Sequence, residues 1–175
     1  NLINYLEELG TWDIIGLSRR GGTDTKKVRY IAVDLLDPAS CNIQLSSLSD
    51  VTHIFYAAYQ DRASWAELVE PNLAMLVNVL TAIEPVAINL EHVSLMQGYK
   101  VYGAHLGPFK TPAKESDAGH MPPEFNVDQQ NFLENQQKNK RWTWSAIRPS
   151  VVGGTSTGNP MNLAVVIAVF ATISK

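Results

Sequence analysis

The chain has a single cysteine among its 175 residues, which limits the disulfide and thiol chemistry available to the protein. Cys41 has no partner within the chain for a disulfide, which favours a protein of a reducing compartment. A lone cysteine more often serves as a small apolar side chain in or near the core than as a nucleophile. Cys41 is therefore interpreted as structural, and we expect the protein to be cytoplasmic.

The chain also has a low net charge and lacks the residue spacing that is typical of metal sites. Its net charge of −3 provides no basic surface of the kind that binds nucleic acid. The longest apolar run, Leu163 to Ile173, is too short to span a bilayer. We therefore expect no nucleic acid, membrane or metal among its partners. The four histidines lack metal-site spacing and are interpreted as structural or surface residues: His53, His92, His105 and His120.

What the chain does contain is a regular alternation of short apolar strands and periodic helices. Pro71 is expected to start or kink the second helix, and Asn159 with Pro160 to cap the last one. The predicted helices cover residues 1–10, 65–83, 127–137 and about 159–174. The predicted strands cover residues 12–17, 28–33, 51–56, 90–95 and 142–147.

This alternation predicts an α/β fold, a Rossmann-like doubly wound parallel sheet in one domain over residues 1–175. In open α/β sheets, ligands bind outside the carboxyl ends of the strands. The residues that follow each predicted strand are therefore the candidates for a site. Residues 103–124 show no periodicity and predict a long loop of the kind that often covers a site.

A lysine and two tyrosines follow the strand at 90–95. An ammonium beside a phenol stabilises the phenolate, so Lys100 near Tyr99 or Tyr102 would lower the pKa of that phenol. If the segment is extended, Lys100 and Tyr102 point to the same side. A surface loop with a solvated lysine is the alternative interpretation.

Two arginines, Arg19 and Arg20, follow the strand at 12–17. At this position of a dinucleotide-binding fold, an acidic residue binds the ribose 2′-hydroxyl, whereas arginine accommodates a 2′-phosphate. Solvated loop arginines are the alternative. Asp34, after the next strand, is a candidate for an adenine contact or for the cap of a turn.

Taken together, these segments resemble the progesterone 5β-reductase and iridoid synthase-like (PRISE-like) branch of the extended short-chain dehydrogenases. The resemblance covers nearly the whole chain in order. It is carried by Gly16-Leu-Ser-Arg-Arg20, Val51-Thr-His-Ile-Phe-Tyr56, Asn72-Leu-Ala-Met-Leu-Val-Asn-Val-Leu80, Leu95-Met-Gln-Gly-Tyr-Lys-Val-Tyr102, Leu106-Gly-Pro-Phe109, Trp144-Ser-Ala-Ile-Arg-Pro149 and Met161-Asn162.

The resemblance implies an NADP(H)-dependent reductase of an enone or ketone, with a terpenoid-like or steroid-like small molecule as substrate and a homodimer as one possible assembly. It implies that Arg19 and Arg20 bind the 2′-phosphate and that Lys100 is the catalytic lysine. The other cofactor contacts it implies are Asp34 and Leu35 at the adenine, Ala57, Ala58 and Tyr59 on the adenosine side, Val152 at the nicotinamide, and Asn159 to Asn162 at a helix start close to the cofactor.

The chain departs from the family pattern in two places. The family's glycine-rich phosphate loop and first strand precede the position that matches Asn1, so the chain resembles the middle of a longer enzyme. The family's catalytic tyrosine lies in an Asn-Phe-Tyr-Tyr segment, which here reads Glu124-Phe-Asn-Val127. Val127 has no hydroxyl, and Tyr102 is the nearby phenol that we predict to act with Lys100.

Two other functions therefore stay open. An NADP-binding sensor or scaffold without turnover is favoured by the loss of the tyrosine at position 127. An extended short-chain epimerase or dehydratase is disfavoured, because the chain contains no Tyr-x-x-x-Lys motif.

Overall fold

A computed structural model describes residues 2–119, 121–153 and 162–174. The chain divides into two compact units, residues 1–32 with 149–175, and residues 33–148. The helices are α1 Leu2–Leu9, α2 Pro38–Leu45, α3 Trp65–Ile83, α4 Phe125–Gln137 and α5 Leu163–Ile173, with short 3₁₀ helices at Tyr99–Tyr102 and Glu115–Asp117. The strands are β1 Ile14–Ser18, β2 Val28–Ala32, β3 His53–Tyr56, β4 His92–Met96 and β5 Thr143–Ile147.

The strands pair in parallel, as predicted. In the first unit β1 pairs with β2, and Ile14 lies opposite Val28. In the second unit the order is β3-β4-β5, and His92 lies opposite both His53 and Thr143. Parallel pairing in both units confirms the predicted α/β fold with parallel strands, and the described strands form two sheets.

Helix α3 forms much of the core of the second unit. Its N-cap is Ser64, whose hydroxyl accepts from the backbone N–H of Glu67, so the helix begins six residues before Pro71. Of the two roles expected for Pro71, starting the helix is excluded, because the Ser64 cap initiates it earlier and the helix continues through the proline; a kink at Pro71 stays a prediction. Fully buried leucines on α3, β4 and α4 each stabilise the fold by roughly 1.5–3 kcal/mol: Leu76, Leu80, Leu95 and Leu133.

Among the described helices, α3 is also the one that is long and apolar enough to cross a membrane by length and composition. Half of its most apolar stretch is buried inside the protein, which is typical of a core helix. A single helix of this kind is weak evidence for a membrane span.

Two helix starts differ from the sequence-based expectation. Helix α2 was not predicted; Asp37 caps it by accepting from the N–H of Ala39 at 2.9 Å, and Pro38 fills its first turn. Helix α5 begins at Leu163, and its cap is Asn162, whose Oδ1 accepts from the N–H of Ala164 at 3.2 Å. The predicted cap, Asn159 with Pro160, lies outside the described residues.

Candidate functional site

The carboxyl ends of β3, β4 and β5 lie at one edge of the three-stranded sheet, because all three strands are parallel. The segments that leave this edge are residues 57–61 after β3, residues 97–102 after β4, and Arg148 after β5. The backbone N–H of Gln97 donates to the carbonyl of Ile147 at 2.8 Å, which fixes the last two of these segments side by side. The edge therefore brings Lys100 and Arg148 into the same region.

Arg148 joins this edge to the long loop and to α4. Its Nε donates to Oε1 of Gln97 at 2.9 Å, and its Nη1 donates to the Tyr102 hydroxyl at 2.9 Å and to the Glu115 carbonyl at 3.2 Å. Its Nη2 donates to Oε1 of Gln130 at 2.6 Å. One guanidinium thus bonds to four residues in three segments of the unit: residues 97–102, the loop at 103–124 and α4. From the sequence, Arg148 was named only within the motif Trp144–Pro149, although an arginine in a partly buried position needs several acceptors.

The structure corrects the expected conformation around Tyr102. Residues Tyr99–Tyr102 form a 3₁₀ helix rather than an extended segment. Because each residue of a 3₁₀ helix advances about 120°, Lys100 and Tyr102 point in different directions. Tyr102 is 8% exposed, and its ring stacks on Phe109 with a centroid separation of 6.2 Å. The inference that Lys100 and Tyr102 face one side was therefore wrong, and a catalytic role for Tyr102 stays a prediction.

The ammonium of Lys100 lies over an aromatic ring. Its Nζ is 4.4 Å from the ring centroid of Trp65, the first residue of α3, within the range of a cation–π interaction. The ring of His105 packs against the same indole, with centroids 4.4 Å apart. Burial, and secondly the charge of Lys100, lower the pKa of His105, so this imidazole is neutral at pH 7. The Lys100 ammonium is thus an exposed cation that packs against the aromatic ring of Trp65.

A buried carboxyl group, Glu124, lies at the start of α4, and this helix start is bonded to the segment before Lys100 because Nε2 of Gln97 donates to the Asn126 carbonyl at 2.7 Å. Glu124 is 4% exposed and caps α4; its Oε1 accepts from the backbone N–H of Asn126 at 3.3 Å and from the Asn126 side-chain amide at 2.7 Å. Its Oε2 is buried and has no hydrogen-bond partner among the residues that the structure describes. Burial is the main cause that raises the pKa of Glu124; Asp128 raises it further, while the Asn126 bonds and Lys100 oppose the shift. Glu124 was not among the site residues predicted from the sequence.

The residues predicted to border the adenosine have structural contacts of their own. Oδ1 of Asp34 accepts from the N–H of Leu36 at 3.0 Å, so Asp34 caps a turn, which was one of its two expected roles. The carbonyl of Leu35 accepts from Nδ2 of Asn78 at 2.9 Å. Tyr59 lies after Ala57 and Ala58, and its hydroxyl donates to Oδ1 of Asp61 at 3.1 Å.

The loop that contains Tyr59 is anchored by a buried amide. Asn72 on α3 accepts from the N–H of Gln60 at 2.8 Å and donates to the Gln60 carbonyl at 2.8 Å. Its own carbonyl accepts from Nε2 of Gln129 on α4 at 2.7 Å. Asn72 therefore fixes the loop after β3 against two helices.

In the first unit, the turn after β1 contains both predicted phosphate-binding arginines. Arg19 and Arg20, with Ser18 and Gly21, line a pocket of about 660 Å³. Neither guanidinium forms a hydrogen bond or an ion pair with another described residue. The Ser18 hydroxyl donates to the Gly21 carbonyl at 2.8 Å, and Gly21 has a φ of +67°, a conformation that favours glycine.

The remaining predicted contacts are not brought into a site by the described residues. Val152 is 61% exposed, and Asn159 lies outside the described residues. Within the parts of the chain that the structure describes, no group of three or more His, Cys, Asp or Glu side chains is placed to hold a metal ion. Cys41 is buried, and burial raises the pKa of its thiol, as expected for a structural cysteine.

Parallel strands, joined by helices from β2 onward and followed by polar loops at their carboxyl ends, define an α/β protein of the Rossmann type. The family model described as a PRISE-like Rossmann-fold domain matches residues 33–175, so the chain belongs to this family.

The chain is similar to known enzymes of plants. It is 36% identical over 178 residues to an (S)-8-oxocitronellyl enol synthase of Nepeta racemosa, and 36% identical over 182 residues to a 3-oxo-Delta(4,5)-steroid 5-beta-reductase of Arabidopsis thaliana. Each alignment covers 95% of this chain and 45% of the relative, so the chain spans less than half the length of these relatives.

Solved structures support the same fold. The Bordetella bronchiseptica enzyme WbmH, solved in complex with NAD⁺, matches 97% of this chain and 57% of its own with a TM-score of 0.69 and 16% identity. Gre2 from Candida albicans matches 89% of this chain and 55% of its own with a TM-score of 0.65 and 17% identity.

Proposed function

We propose that this chain is part of an NADPH-dependent reductase that reduces the carbon–carbon double bond of an enone, with a small terpenoid-like or steroid-like molecule as substrate. The observation that carries the proposal is Lys100 directly after β4, at the carboxyl edge of the sheet, in a chain of the PRISE-like family. The names of the two plant relatives, an enol synthase and a Delta(4,5)-steroid 5-beta-reductase, support this substrate class.

The turn after β1 fits the phosphate of NADP(H). Two unpaired guanidinium groups line a pocket at a glycine turn, and arginine is the side chain best suited to bind phosphate through paired N–H donors. No carboxylate lies in this turn to favour the ribose hydroxyl of NADH. When bound, NADPH would supply the hydride from its nicotinamide ring, and Arg19 and Arg20 would hold the 2′-phosphate of its adenosine ribose.

Lys100 would act on the carbonyl oxygen of the substrate. Addition of hydride to the β-carbon moves the electron pair of the double bond toward the carbonyl group and leaves negative charge on its oxygen. The enolate formed in this way then takes a proton from solvent at its α-carbon, which completes the reduction. An ammonium aimed at that oxygen stabilises the charge in the transition state, which is the largest single contribution in many enzymes. Because this reaction needs an oxyanion partner, Lys100 can perform it without a tyrosine at position 127.

A binding protein without turnover is the second candidate, and Val127 is the observation that favours it. The side chain at this position of α4 has no hydroxyl, so it can neither donate a proton nor form a hydrogen bond. The same fold and cofactor site would then serve as a sensor or scaffold. We also propose a cytoplasmic location, on the basis of the single buried cysteine.

The test uses the complete protein in which this chain occurs. NADPH and NADH binding are measured by fluorescence titration, and NADPH oxidation is then followed in a single turnover with an open-chain enal, a cyclic enone and a 3-oxo-Δ4-steroid. The reductase proposal predicts oxidation with at least one substrate and a loss of at least 100-fold, about 2.7 kcal/mol, in Lys100→Ala. Lys26→Ala, an exposed lysine of the first unit, is the control and should leave the rate unchanged. Tight NADPH binding without oxidation would favour the sensor instead.

A further inference from the structure

The carboxyl group of Glu124 is incompletely satisfied in the described structure. Oε1 has two donors, both from Asn126, whereas Oε2 is buried and has none. A buried polar atom without a partner costs free energy, so such atoms are rare and call for an explanation. The capping of α4 explains Oε1 only, because a single oxygen suffices for that role.

The charged groups that act on Glu124, among the residues that the structure describes, come from two elements. Lys100 lies on the 3₁₀ helix after β4, and Asp128 lies in the first turn of α4 itself. The segment before Lys100 contacts the start of α4, because Nε2 of Gln97 donates to the carbonyl of Asn126 at 2.7 Å. The ammonium of Lys100 packs on the indole of Trp65. Among the described residues, no carboxylate lies within ion-pair distance of this ammonium. A lysine side chain has four rotatable carbon–carbon bonds and readily changes partners.

We propose that Glu124 is the positioning residue of Lys100: as a neutral acid it leaves the ammonium free for the substrate oxygen, and as a carboxylate it binds the ammonium. The inference rests on the proposed function, in which Lys100 stabilises an oxyanion. The unpartnered Oε2 is then the atom that receives Lys100 when Glu124 loses its proton. Glu124 acts on the substrate only through Lys100 and does not itself contact it.

This arrangement gives a definite pH dependence. Burial holds the pKa of Glu124 above its ordinary value of 4.5, so a fraction of the molecules keeps the acid form at a pH where an exposed glutamate is ionised. As the pH rises through that raised pKa, the carboxylate forms and withdraws Lys100 from the substrate. Activity should therefore fall on the alkaline side of this pKa, well below the pH at which a lysine loses its own proton.

The experiment follows both groups directly by NMR in the complete protein labelled with δ-¹³C glutamate and ε-¹³C lysine. Glu124→Gln and Lys100→Arg assign the two signals. We expect the Glu124 signal to titrate with a midpoint above 4.5 and the Lys100 signal to show a step at the same midpoint, absent in Glu124→Gln. A Glu124 midpoint at or below pH 4.5 would overturn the proposal. A Lys100 signal that does not change at the Glu124 midpoint would also overturn it.

Asp128→Asn provides a second test that leaves Glu124 in place. Because the charge of Asp128 raises the pKa of Glu124, its removal should move the midpoints of both signals to lower pH. A shift of the Glu124 signal alone would show that Lys100 is independent of it. This variant, with the wild-type titration, decides the question even if Glu124→Gln does not fold.

The single-turnover rate separates this inference from the proposed function. The wild type should lose activity above the Glu124 midpoint, approaching about a tenfold fall per pH unit, and Glu124→Gln should lack this limb. The same limb in Glu124→Gln would overturn the positioning role while the reductase function stands. If no enone is reduced at any pH, the proposed function fails, and the coupled NMR titrations still decide whether Glu124 controls Lys100.

Discussion

The guanidinium of Arg148 donates to the hydroxyl of Tyr102 at 2.9 Å, although the two residues are 46 positions apart in the sequence. The same Nη1 donates to the carbonyl of Glu115, and the guanidinium carbon lies 5.4 Å from the centre of the Tyr102 ring. The end of β5 thereby fixes both the 3₁₀ helix that presents Lys100 and the middle of the loop at 103–124. Arg148 is thus the residue that organises the candidate site.

Arg148→Ala should destabilise the second unit and loosen this loop. Hydrogen bonds to charged groups contribute about 1.5–3 kcal/mol each and are not additive here, so we expect a loss of about 2–4 kcal/mol in unfolding free energy. Chemical denaturation measures the loss, and hydrogen exchange should accelerate in residues 97–118. Arg141→Ala is the matched control, because Arg141 is exposed and should change stability by less than about 0.5 kcal/mol. Equal effects of the two variants would contradict a central role for Arg148.

Tyr102→Phe separates the packing role of this phenol from a catalytic one. The variant keeps the stacking on Phe109 and removes only the acceptor for Arg148, so unfolding free energy should fall by about 1–3 kcal/mol. If the phenol also acts in catalysis, the single-turnover rate should fall as well. An unchanged rate would show that the assignment of Tyr102 as the catalytic phenol is wrong. Val127→Tyr provides the complementary test: activity gained from a silent protein would indicate a lost reductase function.

Arg20→Ala should weaken NADPH binding much more than NADH binding. A good arginine–phosphate contact is worth about 1.5–3 kcal/mol, which corresponds to roughly 10- to 150-fold in Kd. Fluorescence titration of both cofactors against the complete protein measures the difference. Arg29→Ala, an exposed arginine on β2 that does not line the pocket, should leave the ratio unchanged. An equal loss for NADPH and NADH would show that Arg20 does not contact the 2′-phosphate.

Glu84 should make the stability of the second unit depend on pH. Burial alone would raise the pKa of this carboxyl, but hydrogen bonds from Lys140, Gln136 and Trp142, with the charge of Lys140, bring it below its ordinary value of 4.5. A lowered pKa in the folded state means that the stabilisation is complete above the unfolded-state pKa and is lost as the pH falls through the folded-state pKa.

We therefore expect Glu84→Gln to reduce the unfolding free energy by about 1–3 kcal/mol at pH 7 and by progressively less below pH 4.5. Denaturation of the variant and the wild type across this range measures the difference. Glu70→Gln, at an exposed position of the same helix, is the control and should show no such trend. A difference that stays constant down to pH 3 would mean that the charge of Glu84 is not involved.

The strands and most helices were predictable because their apolar periodicity is local. Helix α2 was missed although Asp37 and Pro38 form a regular helix start, since its apolar residues show little periodicity. The conformation of residues 99–102 was predicted wrongly, because nothing in four residues distinguishes an extended segment from a 3₁₀ helix held by a distant arginine. Arg148 and Glu124 were missed for the same reason: their roles depend on partners or burial that only the tertiary structure reveals.

The central claim, reduction of an enone by hydride transfer next to Lys100, is tested most directly by tracing the hydride. The complete protein is given a single turnover of NADPH deuterated at C4 with each of the three enones, and the product is examined by NMR. The account predicts deuterium on the former β-carbon, a retained carbonyl group, and loss of the product in Lys100→Ala. Deuterium on the former carbonyl carbon would contradict it. The absence of deuterium transfer under conditions in which titration shows NADPH to be bound would contradict it as well.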